Sequence, residues 1–248
     1  MLDKKILSEL LPRVDVRIYD TVGSTNAVAI ELSEGCEQNL LVAAISQTEG
    51  RGRQGKTFFS PSGGLYFSLA VHPDCELIDA VSITSATAVF VAEAIERLTP
   101  LSPKIKWVND IYIDRKKVCG ILCQSVLKSG KLDRIIIGIG INIKAQNFPE
   151  EINSIAGSLN TDIDENTLTA EITKSILKFC ENPSDKAYLD YYRKNSCVLG
   201  NKIIFYENGI KHFGNAVEID DNAALIVEQD GITKKLSGGE ITVRVDEN

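Results

Sequence analysis

The clearest chemical signal in this sequence is a glycine- and arginine-rich stretch, Gly50-Arg51-Gly52-Arg53-Gln54-Gly55. It follows an apolar run over residues 40–45 that predicts a strand. Glycines at this spacing allow a tight bend that brings backbone N–H groups close to a ligand. The guanidinium groups of Arg51 and Arg53 can form paired hydrogen bonds with phosphate or carboxylate. The stretch is therefore predicted to hold an anionic intermediate that contains phosphate, and a solvated basic turn is the alternative.

The same stretch satisfies the pattern G-x-G-x-x-G of dinucleotide-binding folds. That pattern is meaningful only where a helix begins at its end. The residues that follow include Phe58, Phe59, Pro61 and the glycine pair Gly63-Gly64, which favour extended chain and turns rather than a helix. A dinucleotide-binding fold is therefore not predicted.

Two further polar clusters lie at predicted element boundaries. Ser24-Thr25-Asn26 follows a predicted strand over 16–19 and a predicted turn over 20–23, and it precedes a predicted helix that ends near Gly35. A hydroxyl of this cluster is suited to capping that helix, and the alternative is that the three side chains bind the head of a ligand. The stretch 104–110 contains two lysines, the only tryptophan and an Asn-Asp pair, which also suits a β-turn.

Composition limits the class of protein. The 248 residues accommodate one large domain, or a large and a small one, and 44% hydrophobic and 25% charged residues are typical of a globular protein with a full core. The net charge of −7 argues against a broad nucleic-acid-binding surface. No apolar stretch reaches 18 residues and no signal-peptide core follows the N-terminus, so we expect a cytoplasmic protein that does not enter a membrane.

The cysteines do not suggest a metal site. Six are present without a C-x-x-C motif, and the chain has only two histidines. Cys119 and Cys123 lie in an apolar run and are predicted to be buried thiols.

Hydrophobic patterning predicts the elements that position the polar clusters. Residues 1–195 are predicted to form one domain, with helices over 6–11, 78–98, 168–179 and 183–192. Its predicted strands include 40–47 and 64–72. One predicted hairpin turns at 114–117, and another turns near 129–130 and leads into a strand over 134–143. Residues 196–248 are predicted to form a second domain, because five short strands separated by turn signals suggest a small barrel.

Six motifs occur in a fixed order and together resemble those of the biotin–protein ligases. They are Ser24-Thr25-Asn26, Gln47-x-x-Gly-Arg-Gly-Arg-x-Gly, Ser60-Pro61-x-Gly63-Gly64, Lys106-Trp107-x-Asn109-Asp110, Lys117-x-x-Gly120-Ile121-Leu122 and Gly138-x-Gly140-x-Asn142. The resemblance covers the chain from about residue 15 to the predicted barrel. It implies an α/β (α+β) fold, in which a mixed-sheet catalytic domain similar to class II aminoacyl-tRNA synthetases precedes an SH3-like β-barrel.

Three features separate this chain from parts of that family. The residues before Val16 leave no room for the DNA-binding domain of repressor-type members, so we expect no DNA partner. Phe58 stands where the family has a tryptophan and keeps an aromatic surface. Val108 replaces a proline and removes a rigid kink next to Asn109 and Asp110.

The resemblance also implies a reaction and the residues that perform it. The biotin carboxylate attacks the α-phosphate of ATP to form biotinyl-5′-adenylate, and biotin then passes to a lysine of a carboxylase's biotin carboxyl carrier domain. The implied catalytic residues are Lys117, Arg51, Arg53 and Asp110. Those implied to bind biotin are Ser24, Thr25, Asn26, Gln47, Arg51, Gly52, Arg53, Lys117 and Gly120. Those implied to bind ATP are Arg51, Arg53, Phe58, Lys106, Trp107, Asn109 and Asn142.

Further expectations concern the ion, the loop and the assembly. Mg²⁺ is expected with ATP, and Asp110 is expected either to hold it indirectly or to orient the acceptor lysine. The loop Arg51–Lys56 is expected to be disordered without ligand, because its glycines and charges suit closure over a reactive adenylate. A homodimer formed edge to edge is an open alternative to a monomer.

Three other functions agree less well with the sequence. A lipoate or octanoate ligase or transferase has a signature that ends in a His-Asp pair, and this sequence contains none. A non-catalytic biotin-binding module would not need Lys117 together with Arg51 and Arg53. A tRNA-binding relative is disfavoured by the acidic balance of the chain.

Overall fold

Apolar runs in the first 142 residues form one seven-stranded mixed sheet. The computed structural model describes residues 1–72, 80–144, 147–207, 209–237 and 242–245. The strand order is β1-β2-β3-β7-β6-β5-β4, with β1 and β2 parallel and the other neighbours antiparallel. The strands are β1 (Val14–Val22), β2 (Asn39–Gln47), β3 (Gly64–Val71), β4 (Lys104–Lys106), β5 (Asp110–Ile113), β6 (Lys116–Lys128) and β7 (Lys131–Asn142).

Helices cover both faces of this sheet. They are α1 (Lys4–Leu10), α2 (Thr25–Leu32), α3 (Ala80–Leu98), α4 (Glu150–Asn153), α5 (Glu165–Glu181) and α6 (Tyr188–Asn195). Side chains alternate between the two faces of each strand. Leu41 and Ala43 of β2 join the main core with α3 and α5, whereas Leu40 and Val42 pack with Ala29 of α2 on the opposite face.

A second, antiparallel sheet follows α6. Its order is β11-β10-β9-β8-β12, and its strands are β8 (Lys202–Glu207), β9 (Ile210–Ile219), β10 (Leu225–Gln229), β11 (Ile232–Leu236) and β12 (Thr242–Val245). Ile203, Phe205, Ala216, Leu225 and Val227 are buried along its inner face. The predicted fold class is confirmed, with a mixed-sheet domain followed by a sheet of the SH3-like kind. The division at residue 195 stays a prediction.

The structure corrects two predicted turns. The turn predicted at 20–23 is wrong because β1 continues to Val22, where Thr21 and Val22 pair with the end of β2. The turn predicted at 114–117 is shorter, since only Asp114 and Arg115 adopt positive φ angles, of 46° and 65°. Lys117 therefore belongs to strand β6 and not to a turn.

The helix boundaries also differ from the predicted ones. The last helix of the first domain begins at Tyr188 instead of residue 183, and the short helix α4 was not predicted. The predicted first turn of α3, residues 78 and 79, lies outside the described residues.

The prediction of buried thiols holds for Cys119, which is fully buried, whereas Cys123 is half-buried. None of the five described cysteines forms a disulfide, and Cys75 lies outside the described residues. Within the described ranges no three His, Cys, Asp or Glu side chains converge as a metal cluster would require. None of the helices described here combines the length and apolarity needed to span a membrane.

Candidate active site

A cavity of about 330 Å³ opens on the α2 face of the large sheet, beyond the N-terminus of α2. It exists because glycines occupy that face where the strands would otherwise carry side chains. Along β7, Ile137, Ile139 and Ile141 point into the main core, and the alternate positions Gly138 and Gly140 leave the opposite face open. Gly120 of β6 lies directly opposite Gly140 and widens the space.

The structure brings every predicted site residue to this cavity. The residues from the sequence prediction that line it are Ser24, Thr25, Asn26, Gln47, Arg51, Gly52, Arg53, Phe58, Lys106, Trp107, Asn109, Asp110, Lys117, Gly120 and Asn142.

The glycines are needed for close approach. A Cβ added at Gly138 would lie 2.1 Å from Asn26 Oδ1, and one at Gly140 would lie 2.5 Å from the Phe58 ring. At Gly120 a Cβ would lie 3.0 Å from the same ring and 3.2 Å from Lys117 Nζ. The absence of side chains at Gly120, Gly138 and Gly140 therefore leaves room for the Asn26 amide, the Phe58 ring and the Lys117 ammonium group.

One end of the cavity is polar and neutral. Ser24 is the N-cap residue of α2 and only 4% exposed, yet its side chain makes no capping hydrogen bond. The capping explanation for its hydroxyl therefore fails, and the hydroxyl lies on the cavity wall. Thr25 donates its backbone N–H to Gln47 Oε1 at 2.8 Å, and Gln47 Nε2 donates to Ser60 Oγ at 2.9 Å. The Gln47 amide is thereby held in one orientation.

Two residues that the sequence analysis did not single out support this polar end. Asn26 Nδ2 donates to Gln124 Oε1 at 2.7 Å, and Ser68 Oγ lies 2.6 Å from Asn26 Oδ1 and 2.7 Å from Thr25 Oγ1. Ser68 is fully buried in β3 among apolar neighbours. A polar residue at an inward position of an apolar strand was the signal that could have identified it.

The other end of the cavity is cationic. Arg53 Nη1 donates to Asn109 Oδ1 at 3.2 Å, and Asn109 Nδ2 donates to the Ile121 carbonyl at 2.8 Å. Burial lowers the pKa of the Arg53 guanidinium from its ordinary value, and the nearby carboxylate of Asp110 opposes that shift. Arginine stays charged under such a shift because its ordinary pKa is so high.

Lys117 is held by two contacts. Its Nζ lies 2.7 Å from Asp110 Oδ1 and 5.9 Å from the centre of the Phe58 ring. Such a cation–π contact stabilises the ammonium group and restricts its position. Phe58, which replaces the expected tryptophan, is thus in contact with the cation that the chemistry requires.

The glycine-rich loop has a defined conformation over the cavity. A short 3₁₀-helix spans Arg53–Gly55, and the Gly52 N–H donates to the Lys56 carbonyl at 2.7 Å. A Cβ at Gly50 would lie 2.3 Å from the Phe58 carbonyl, so glycine is required there. Disorder of this loop without ligand stays a prediction.

Asn142 presents an acceptor at the wall of the cavity. It is 5% exposed, its Nδ2 donates to the Gly157 carbonyl at 2.8 Å, and its Oδ1 is buried without a hydrogen-bond donor among the described residues. An unpaired buried acceptor has a cost that a ligand N–H can remove. Asn109, which follows Val108, is held by two hydrogen bonds with Ile121: its carbonyl accepts from the Ile121 N–H at 3.0 Å, and its Nδ2 donates to the Ile121 carbonyl at 2.8 Å.

An apolar wall that the sequence analysis missed completes the cavity. Phe148 packs edge-on against Phe59 with ring centres 6.3 Å apart, and Ile152, Ile155 and Ala156 continue the wall. The Lys117 N–H and carbonyl hydrogen-bond to the backbone of residues 155 and 157, which attaches this wall to β6. The sequence signal that could have identified this wall was the spacing of Ile152 and Ile155, which are three residues apart.

Asp110 is the one carboxylate among the described residues that line the cavity. A single carboxylate paired with a lysine does not form a protein cage for a divalent ion. It is compatible with Mg²⁺ that is bound mainly by nucleotide phosphates, which is the common arrangement for this ion.

Comparison with known proteins places these features in a family. Residues 20–142 match the model of the "Biotin/lipoate A/B protein ligase family". The bifunctional ligase/repressor BirA of Bacillus subtilis is 33% identical over 240 residues, which cover 90% of this chain and 72% of the relative. BirA of Escherichia coli is 29% identical and covers 97% of this chain, with 77% of its own length matched. The biotin protein ligase of Aquifex aeolicus, solved in complex with biotin and ATP, superposes with a TM-score of 0.78 at 29% identity, covering 94% of this chain and 99% of that one.

Proposed function

The chain belongs to the biotin/lipoate A/B protein ligase family, and from that premise we propose that it is an ATP-dependent biotin–protein ligase. It activates biotin to biotinyl-5′-adenylate with release of pyrophosphate and then transfers biotin to a lysine. The observation that carries the proposal is one cavity with a neutral hydrogen-bonding end at Thr25 and Gln47 and a cationic end at Arg53 and Lys117.

The neutral end suits the ureido head of biotin. That head is planar and uncharged and carries fixed donors and acceptors, so groups held in one orientation can recognise it. Ser24, Thr25, Asn26 and Gln47 supply such groups, and Gly52 and Gly120 allow the backbone to approach the ligand closely. Lipoate lacks a ureido head and would leave these buried groups unpaired.

The cationic end suits the first chemical step. An oxygen of the biotin carboxylate attacks the α-phosphorus, and the bond to pyrophosphate breaks. Both reactants are anions, so positive charge and positioning are the main requirements. In this proposal Lys117 bridges the carboxylate and the α-phosphate, and Arg51 and Arg53 stabilise the charge that develops on the phosphate oxygens; all three residues line the cavity.

The nucleotide is assigned to the side lined by Phe58, Lys106, Trp107, Asn109 and Asn142. The unpaired Oδ1 of Asn142 can accept a hydrogen bond from an amino group of the base. Mg²⁺ bound by the phosphates of ATP would neutralise part of their negative charge. Asp110, the lone cavity carboxylate, is assigned to that ion or to the incoming lysine amine.

The second step needs an acceptor protein. The lysine nitrogen attacks the acyl carbon of the adenylate, AMP leaves, and an amide forms. We propose a biotin carboxyl carrier domain as the acceptor and the cytoplasm as the location. A homodimer, if formed through the sheet, would use β1 or β4, which are its two edge strands.

Single-turnover formation of biotinyl-5′-adenylate tests the proposal. The native chain is expected to form it from biotin and ATP but not to adenylate lipoate. Lys117→Ala is expected to lose roughly 10²-fold or more in rate. Lys128→Ala, at the far end of the same strand and exposed, is the matched control and should keep the native rate. Adenylate formed from lipoate alone, or biotin binding without adenylate, would overturn the assignment.

A further inference from the structure

The buried serine of β3 has a role that follows from counting protons. Ser68 Oγ lies 2.6 Å from Asn26 Oδ1 and 2.7 Å from Thr25 Oγ1, and it is fully buried. A serine hydroxyl carries one proton, so it can donate to only one of these two oxygens at a time.

The orientation of Asn26 decides which oxygen receives the proton. Asn26 Nδ2 donates to Gln124 Oε1 at 2.7 Å and contacts the Leu122 carbonyl at 3.4 Å. A backbone carbonyl can only accept, so the amide nitrogen lies on that side and Oδ1 faces Ser68. An amide oxygen has no proton, and Ser68 therefore donates to Asn26. The Thr25 hydroxyl has one proton of its own, and it donates to Gln47 Oε1 at 3.1 Å.

The Thr25 hydroxyl consequently offers only lone pairs to the cavity. Its single proton is used inside the protein, because Gln47 Oε1 accepts both from the Thr25 hydroxyl at 3.1 Å and from the Thr25 N–H at 2.8 Å. Gln47 Nε2 has two protons. One goes to Ser60 Oγ, whose own proton goes to the Phe58 carbonyl, and the second is not used by a described hydrogen bond.

We propose that Ser68 is a positioning residue that holds the Thr25 and Asn26 side chains in one orientation at the neutral end of the cavity, so that Thr25 accepts an N–H group of the substrate. Beside it, Gln47 donates to a carbonyl. A cyclic urea presents both groups next to each other, so this inference rests on the proposed function and deepens it. Gly138 is part of the same arrangement, because a side chain there would displace Asn26.

Steady-state kinetics of Ser68→Ala test the role. Loss of a buried hydrogen-bond donor is expected to raise the KM for biotin about tenfold and to leave kcat and the KM for ATP within about twofold. Ser85→Ala is the matched control, because Ser85 is also a fully buried, hydrogen-bonded serine but lies outside the cavity lining. A native KM for biotin in folded Ser68→Ala, or an equal rise in Ser85→Ala, would overturn the inference.

Two further readouts separate positioning from general destabilisation. The native protein should discriminate against a biotin analogue methylated on its ureido nitrogens, and Ser68→Ala should discriminate less. In the pair with Thr25→Val, the combined loss should be smaller than the product of the two single losses, because Ser68 acts partly through Thr25. Unchanged discrimination together with independent losses would contradict the proposal. If Ser68→Ala does not fold, Ser68→Cys, whose thiol is a weak donor, is measured in the same way.

The outcome also distinguishes this inference from the proposed function. A native protein that makes no adenylate from biotin refutes the function. A native protein that does make it, with Ser68 variants that bind biotin normally, refutes this inference alone.

Discussion

At the scale of single residues, the absence of side chains at three positions matters as much as the presence of charged ones. Gly120, Gly138 and Gly140 lie on two neighbouring strands, and each faces the cavity. Polar and cationic groups close around the space that they leave. The glycines serve different ends of the cavity, because Gly138 lies next to Asn26 at the neutral end and Gly140 lies next to Phe58 at the cationic end.

Because the two glycines lie at different ends of the cavity, alanine at Gly138 and alanine at Gly140 are expected to affect different substrates. Gly138→Ala would place a Cβ 2.1 Å from Asn26 Oδ1 and is expected to raise the KM for biotin at least about tenfold. Gly140→Ala would place a Cβ 2.5 Å from the Phe58 ring and is expected to raise the KM for ATP instead. Gly23→Ala, whose Cβ would meet its nearest neighbour at 3.9 Å, should change neither constant. The same pattern of change in both variants would contradict this expectation.

At the scale of elements, the loop between β2 and β3 connects binding with protection of the intermediate. It carries Arg51 and Arg53 over the cavity on a segment that contains a short 3₁₀-helix over Arg53–Gly55. An adenylate is a reactive mixed anhydride, and its lifetime depends on the exclusion of water. A segment of this kind is suited to closing when the ligand neutralises its charges.

Limited digestion with trypsin measures that closure. Cleavage after Arg51, Arg53 and Lys56 is expected to slow about tenfold or more when biotin and ATP are present at high occupancy. The exposed turn between β6 and β7 provides an internal control, because cleavage at Lys128 and Lys131 should not change. Equal cleavage of the loop with and without ligands would show that the loop does not close.

At the scale of the whole molecule, the second sheet is attached to the wall of the cavity. The turn between β9 and β10 accepts a hydrogen bond from Trp107 Nε1 at the Ala223 carbonyl, 2.9 Å away. Arg193 of α6 donates to the Ile219 carbonyl at 2.8 Å and to Asp221 at 2.6 Å. A tryptophan that lines the cavity is therefore positioned in part by the second sheet.

Removal of the arginine contacts should loosen this attachment. Arg193→Met is expected to cost about 1–3 kcal/mol, because it leaves the Ile219 carbonyl without its charged donor. For a chain of this size that corresponds to a decrease of about 2–12 °C in Tm. Arg17→Met removes an exposed ion pair with Asp15 and should lower Tm by less than about 1 °C. Equal shifts in thermal unfolding for the two variants would argue against the attachment.

Most elements could be predicted from the sequence because their signals are local. Apolar runs indicated β2, β3 and β7, and the ordered motifs indicated the predicted site residues, all of which line the cavity. The errors arose where distant residues decide the local structure. The turn expected at 20–23 is strand because its partner β2, which is distant in sequence, supplies the hydrogen bonds.

The amino-acid sequence was sufficient for the class of chemistry, because residue types and their order along the chain carry it. The directions of hydrogen bonding were not accessible in that way. Ser68 and Gln124 are 42 and 98 residues from Asn26, and their effect arises only when β3, β6 and α2 pack together. Proton directions depend on distances of 2.6–2.8 Å between atoms on different elements, and folding alone establishes those distances.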